Sequence, residues 1–215
     1  VIDPETGYAR GRHADGTWIE PFDPFASTSF ICEGTPYHYT WYAPQDIAGL
    51  IRHMGGKERF INRLDNFFEG NYYWHGNEPG HHIAYLFAYA GEPWKTQKYV
   101  AHIMNELYND SSSGYAGNDD CGEMSAWYVF GALGFYPVNP VSGKYIIGTP
   151  MLEEAVIQLP DGKTFTIKAP RKEHNEIYIR SMKLNGKKYT KNYITHQDIM
   201  NGGTLEFVMT ASPGK

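Results

Sequence analysis

The chain has 215 residues, a net charge of −5 at neutral pH, 15% aromatic residues and two cysteines, Cys32 and Cys121. Its Lys and Arg form no basic stripe, which argues against nucleic acid as a partner; no apolar run approaches the ~20 residues that cross a bilayer, so no membrane span is expected; and two cysteines are too few for a disulfide framework, although they could pair if their loops met. Such a length allows one large core or two domains, and a start at Val1 without Met or a charged-then-apolar leader suggests a piece of a longer protein.

Residues 1–30 are rich in Gly, Pro, Asp and aromatic side chains with no sustained period, which predicts a long ordered loop or a pair of short strands. Long loops often line sites; a plain connecting arm is the alternative. Next comes Glu33-Gly34-Thr35-Pro36-Tyr37-His38-Tyr39-Thr40-Trp41. Glu33 lies between Phe30-Ile31-Cys32 and a run of rings, and a carboxyl desolvated by such neighbours keeps its proton, as a general acid must. The competing reading is a Glu bonded to its own backbone turn.

Ile47, Leu50, Ile51 and Met54 recur at helical spacing from about Pro44, and Gly55-Gly56 ends that helix. Phe60, Ile61, Leu64, Phe67 and Phe68 give a second helix from Lys57 to Gly70, so the two form an αα-hairpin. Then follows Trp74-His75-Gly76-Asn77-Glu78-Pro79-Gly80-His81-His82. Pro79 suits the first position of a helix and leaves Asn77 and Glu78 at its entrance. Their oxygens suit a hard cation such as Ca²⁺, which takes ~6–8 oxygen ligands; capping the helix is the other use. His81 and His82 are adjacent, so on a helix they cannot face the same way, and zinc is not indicated. Satisfied core histidines are the plainer reading.

Another helix is predicted from Pro93 to about Tyr108, with Val100, Ile103, Met104 and Leu107 inward. A polar loop then leads to Gly117-Asn118-Asp119-Asp120-Cys121-Gly122, followed by an apolar helix from Glu123 to Leu133, which Gly134 stops with Pro137 beyond. Carboxylates at a helix start are favoured in their charged form by the helix dipole, which suits a base; one Asp serving only as the cap is the alternative. The polar and aromatic residues therefore gather on alternate loops, 33–41, 74–78 and 118–120, and in a ring of helical hairpins alternate loops share one end. After Pro137 the texture changes. Segments 144–148, 154–159, 163–169, 176–180 and 204–209 are short and β-branched, and Pro160-Asp161-Gly162 and Asn185-Gly186 read as hairpin turns. A helical part over 1–137 and a small antiparallel β domain over 138–215 are expected.

The three motifs at 33–41, 75–82 and 117–127 closely resemble glycoside hydrolase family 92, whose members are calcium-dependent exo-acting α-mannosidases, and the likeness covers nearly the whole chain. The family combines an N-terminal β-sandwich with an (α/α)6 toroid that ends in a small β domain. The resemblance therefore implies an α + β fold in two parts, a partial (α/α)6 toroid of helical hairpins followed by that small β domain. The sandwich and earlier helices would be supplied by another segment or a second chain.

The resemblance also assigns roles. Glu33 matches the family's general acid and Asp120 the base that activates water, giving inversion. Some members carry Asp-X-Asp where this chain has Asn118 at the first position. Asn77 and Glu78 fall where Ca²⁺ is expected, bridging the cis 2- and 3-hydroxyls of mannose. His75, Trp74, Trp41 and His38, with Asn118 and Asp119, are candidates for contacts to the sugar or leaving group, and Asp119 is expected to turn away from the base position. The form of residues 75–79 favours α-1,2-linked mannose-containing glycans, and the family suggests export to the periplasm, the cell surface or the medium. The alternatives are a metal-independent glycosidase on the same toroid and an inactive glycan-binding fragment.

Overall fold

The computed structural model describes residues 1–214, which pack as two compact units, residues 1–83 and the remainder from Ala84 on. In the first unit, residues 1–30 make an irregular loop with two isolated antiparallel bridges, Ile2 to Ala9 and Arg12 to Trp18. The buried Arg10 guanidinium organises it. Nη1 donates to Asp3 at 2.9 Å, Nη2 reaches Glu20, Nε donates to the Ile19 carbonyl at 3.2 Å, and the group lies 4.6 Å from the Phe22 ring. These bonds satisfy a cation that burial would otherwise make costly.

Helices α1 (Pro36–Tyr39), α2 (Ile47–His53) and α3 (Lys57–Glu69) follow. Asp46 caps α2 by accepting the Gly49 N–H at 2.7 Å. Gly55 and Gly56, with φ of 88° and 100°, turn the chain into α3 in a region that side chains avoid. Phe60, Leu64 and Phe67 recur along one face of α3 and are fully buried. Trp41 fills the space above them, its ring 5.5 Å from Phe60 and 5.7 Å from Phe67. Tyr37 packs 4.8 Å from Phe67 and donates its hydroxyl to the Arg63 carbonyl at 2.9 Å.

Around Pro79 the expected helix gives way to two 3-10 turns, Glu78–Gly80 and Ile83–Tyr85. Gly80 lies so close to the Trp74 carbonyl that a Cβ would stand 2.9 Å from its oxygen. His81 and His82 are drawn inward instead of continuing a regular surface.

The second unit opens with α4 (Leu86–Ala90), α5 (Pro93–Glu106) and α6 (Glu123–Leu133). Gly131 lets α6 approach α5, since a Cβ there would meet the Met104 sulfur at 2.8 Å. The strands are β1 (Phe135–Asn139), β2 (Lys144–Ile147), β3 (Glu154–Gln158), β4 (Thr164–Lys168), β5 (Tyr178–Leu184), β6 (Lys187–Tyr189), β7 (Tyr193–Thr195) and β8 (Gly203–Thr210), with α7 (His196–Met200) before the last. They form a three-stranded sheet in the order β1-β2-β7 and a five-stranded sheet in the order β3-β4-β8-β5-β6. Every pairing is antiparallel except β4 with β8, which is parallel. That exception was not predicted, because alternation in sequence fixes which face a residue takes and not the direction of its neighbour. Asn185 and Gly186 adopt φ of 52° and 77° in the β5–β6 hairpin, as a two-residue turn of this type requires.

The junction from α6 to the sheets is tight. Gly134 has φ of 94°, its N–H closes α6 on the Gly131 carbonyl at 2.9 Å, and an added Cβ would lie 3.0 Å from the Pro150 backbone nitrogen. Gly134→Ala is expected to lower unfolding free energy by about 1–3 kcal/mol, measured by denaturant titration, because strain and backbone collision act together.

Candidate active site

The first motif is built on a capped single turn. Thr35 sits at the N-cap of α1, its Oγ1 accepting the His38 N–H at 3.4 Å and bonding His38 Nδ1 at 2.9 Å. Gly34, with φ of 82°, reverses the chain just before it. Glu33 is thereby left outside the helix and exposed. The desolvation expected of its aromatic neighbours does not reach it within this unit, because Tyr37 and Trp41 turn into the core.

Tyr39, on the opposite side of α1 from Tyr37, links the first motif to the second. Its phenol is held above its ordinary value, by burial first and then by the charge of Glu33, with Cys32, Tyr42 and Glu78 adding to it. Both candidate carboxylates therefore act on one hydroxyl. His38 stands 6.5 Å from the ring of Trp74, which is 44% exposed, whereas His38 is half-buried with Nδ1 bonded to Thr35. Burial holds His38 below its ordinary value, opposed by a bond with the Tyr72 backbone.

Two candidates for sugar contact are interior. Trp41 is fully buried among Tyr37, Phe60 and Phe67, and its carbonyl accepts from His82 Nε2 at 2.9 Å. His75 is buried too, with Nδ1 2.7 Å from the Tyr73 hydroxyl and its ring 4.5 Å from that of His81. Burial first, then the charge of His81, pushes His75 down to about 2, so it is a neutral packing group. His81 Nε2 donates to the His75 carbonyl at 2.9 Å. The adjacent histidines thus point to different partners, and both are buried.

Asn77 and Glu78 are half-buried at the start of the 3-10 turn. Asn77 occupies the N-cap, yet its side chain makes no capping bond, so the capping alternative is not realised there. Among the described residues no three His, Cys, Asp or Glu side chains cluster as a metal site.

The third motif lies in the second unit. Asp119 serves as the cap of α6: its carbonyl accepts the N–H of Gly122, Glu123 and Met124 at 3.2, 2.8 and 3.3 Å, and its Oδ1 accepts the Ser125 N–H at 2.9 Å. One oxygen of this side chain is thus committed to capping the helix start. Asp120, Cys121 and Gly122 then run through three left-handed residues, with φ of 44°, 61° and 94°. Asp120 and Asn118 are exposed, and both cysteines are free thiols. Sequence reasoning missed Tyr39 and Ser125. Tyr39 is one ring among many in its motif, and Ser125 lies six residues beyond Asp119, a spacing that no common capping signature contains.

The sequence model of the glycosyl hydrolase family 92 catalytic domain matches residues 1–211. The chain belongs to that family. An uncharacterized secreted glycosidase of Arthroderma benhamiae is 34% identical over 217 residues, covering 94% of this chain and 28% of that protein. The structure of the family GH92 alpha-mannosidase BT3965 from Bacteroides thetaiotaomicron superposes with a TM-score of 0.93 at 44% identity, covering 99% of this chain and 30% of that one. The inverting mannosidase BT2199 from the same species gives 0.92 at 38% identity, covering 99% and 32%. The chain therefore spans less than a third of the length of these relatives. No helix among the described residues is long and apolar enough to cross a membrane.

The buried histidines have a measurable consequence. Burial first, then the charge of His81, pushes His82 down to about 4, against the opposing bonds from the Trp41 and Pro79 backbone. The unfolded chain takes up this proton near pH 6.5, so stability is complete above that pH and falls as pH drops toward 4, by about 3 kcal/mol for this group. Denaturant unfolding between pH 7 and 4 should show the slope, and His82→Asn should remove this group's share of it while leaving the share of His75, which burial also holds low.

Proposed function

We propose that the chain is the C-terminal part of the catalytic domain of an inverting exo-α-mannosidase that removes mannose from glycans, with α-1,2 linkages favoured. Three motifs in the family's order carry this reading, and the first and third each present an exposed carboxylate beside a capped helix start. The relatives named as an alpha-mannosidase and as an inverting mannosidase support it. In this reading residues 1–137 belong to an (α/α)6 catalytic domain, residues 138–215 form its β domain, and the remainder of the domain comes from polypeptide outside this chain. Export follows from the likeness to a protein named as secreted.

Glu33 gives its proton to the departing glycosidic oxygen as the bond from the anomeric carbon breaks. Asp120 takes a proton from the water that attacks that carbon from the opposite face, and the configuration inverts. Inverting enzymes hold such carboxyls about 6.5–9.5 Å apart, which leaves room for the water. Trp74 and His38, whose rings lie 6.5 Å apart, contact the sugar or the leaving group in this reading.

The donor chemistry at Asn77 and Glu78 fits Ca²⁺ in kind, since an amide and a carboxylate are hard oxygen ligands and Asn77 is not consumed as a cap. They would supply two of its ligands, the rest coming from sugar hydroxyls, water and groups outside these residues. When bound, the ion supplies a template for the cis 2- and 3-hydroxyls of mannose.

Proton NMR of the first-formed sugar should show the β anomer from an α-mannoside; retention would exclude the mechanism. Glu33→Gln should lower kcat about 10²–10⁴-fold on an unactivated mannoside and much less on an aryl mannoside, whose leaving group needs no proton. Asp120→Asn should lower both. A chelator should abolish turnover and added Ca²⁺ restore it; turnover that persists in the chelator would point to a metal-independent glycosidase.

A further inference from the structure

The reading of Asp120 as base leaves open what aims it. Among the described residues no other group hydrogen-bonds the Asp120 carboxylate, which is exposed, so its direction is set by the backbone of the left-handed turn alone. That turn is costly, at about 1–3 kcal/mol for each non-glycine residue held there against its preference. What holds it is Asp119, and Asp119 is held by Ser125. Oδ1 of Asp119 accepts both the Ser125 N–H at 2.9 Å and the Ser125 hydroxyl at 2.7 Å.

The relay extends one step further. The Ser125 Oγ lies 2.8 Å from the Tyr115 hydroxyl. Since a carboxylate only accepts, Ser125 spends its single proton on Asp119, and Tyr115 must donate to Ser125. Tyr115 is itself fixed, bridged to Tyr108 through the backbone with their rings 5.8 Å apart. Tyr108 in turn donates its hydroxyl to the Met124 carbonyl at 3.3 Å, in the first turn of α6. The segment after α5 is thus tied to the start of α6 twice, by the Tyr115–Ser125–Asp119 chain, which ends on the residue next to the base, and separately by the Tyr108–Met124 bond.

We propose that Ser125 and Tyr115 are positioning residues for the reaction, locking Asp119 as the cap of α6 so that the left-handed turn presents Asp120 to water. The inference rests on the base assignment made above. Neither residue need touch the substrate.

The test is a double-mutant cycle in the longest native polypeptide that contains these residues, assayed on an activated aryl mannoside so that residual rates stay measurable. Ser125→Ala should lower kcat roughly 10- to 100-fold with KM within about twofold, as expected for a reacting group displaced by about an ångström. Ser125→Thr, which keeps the hydroxyl, should restore most of that loss, and Tyr115→Phe should give a smaller decrease of the same kind. In the Asp120→Ala background, Ser125→Ala should change the residual rate less than about twofold, because residues acting as a unit are not additive. A further tenfold loss in that background, or wild-type kcat for Ser125→Ala, would overturn the positioning role while leaving the base assignment intact. Wild-type kcat for Asp120→Ala would overturn the base assignment and this inference with it.

Discussion

A carboxylate oxygen that caps a helix is held at the helix start, and the polar turn before α6 is built on that constraint. A helix start leaves four N–H groups without partners, and Asp119 takes four of the N–H groups between Gly122 and Ser125 with its carbonyl and side-chain oxygens. Its neighbour is then free of that duty, and the left-handed backbone turns Asp120 away from the helix axis and into solvent. The first motif solves the same problem differently. Thr35 caps α1, Gly34 absorbs the reversal, and Glu33 is left outside. In both places a dedicated cap leaves the adjacent carboxylate exposed.

Much of this was legible in the sequence where one signal dominated. The bounds of α3 and α6 follow from Gly56, Gly70 and Gly134, because a glycine beyond an apolar period is a strong stop. Whether Asp119 or Asp120 capped was not legible: two adjacent carboxylates at a helix start look alike until the backbone dihedrals are known. Trp41 misled for a related reason. Rings serve sugar-binding faces and cores equally well, and only the packing against Phe60 and Phe67 decides. The break after Pro79 was equally hidden, since it depends on the approach of Gly80 to a carbonyl six residues earlier.

The five-stranded sheet has its two faces committed to other uses. Across the five-stranded sheet, Lys188, Lys183, Glu206, Lys168 and Glu154 are successive cross-strand partners, and the next row along, Leu184, Leu205, Ile167 and Ala155, faces the core. One face is thus committed to burial and the other to solvated charge. The charges alternate in sign except at the edge, where Lys183 opposes Lys188, an arrangement that discourages further strand pairing at modest cost. Such a sheet supplies rigidity, and no paired carboxylates stand on it.

Glu33 carries the last step of the argument. A general acid at neutral pH needs an environment that disfavours its charge, yet within residues 1–83 this carboxyl is exposed and its aromatic neighbours are spent on the core. Tyr42 and Trp74, 53% and 44% exposed, likewise lack a covering layer. Under the proposed mechanism the desolvation must come from polypeptide outside residues 1–83, and this chain spans under a third of its relatives' length. Under that mechanism the two carboxylates and their caps belong to this chain, and the low-dielectric wall beside Glu33 would be completed from outside residues 1–83. Catalytic competence would then belong to the assembled domain, with the caps keeping Glu33 and Asp120 clear of the helix starts.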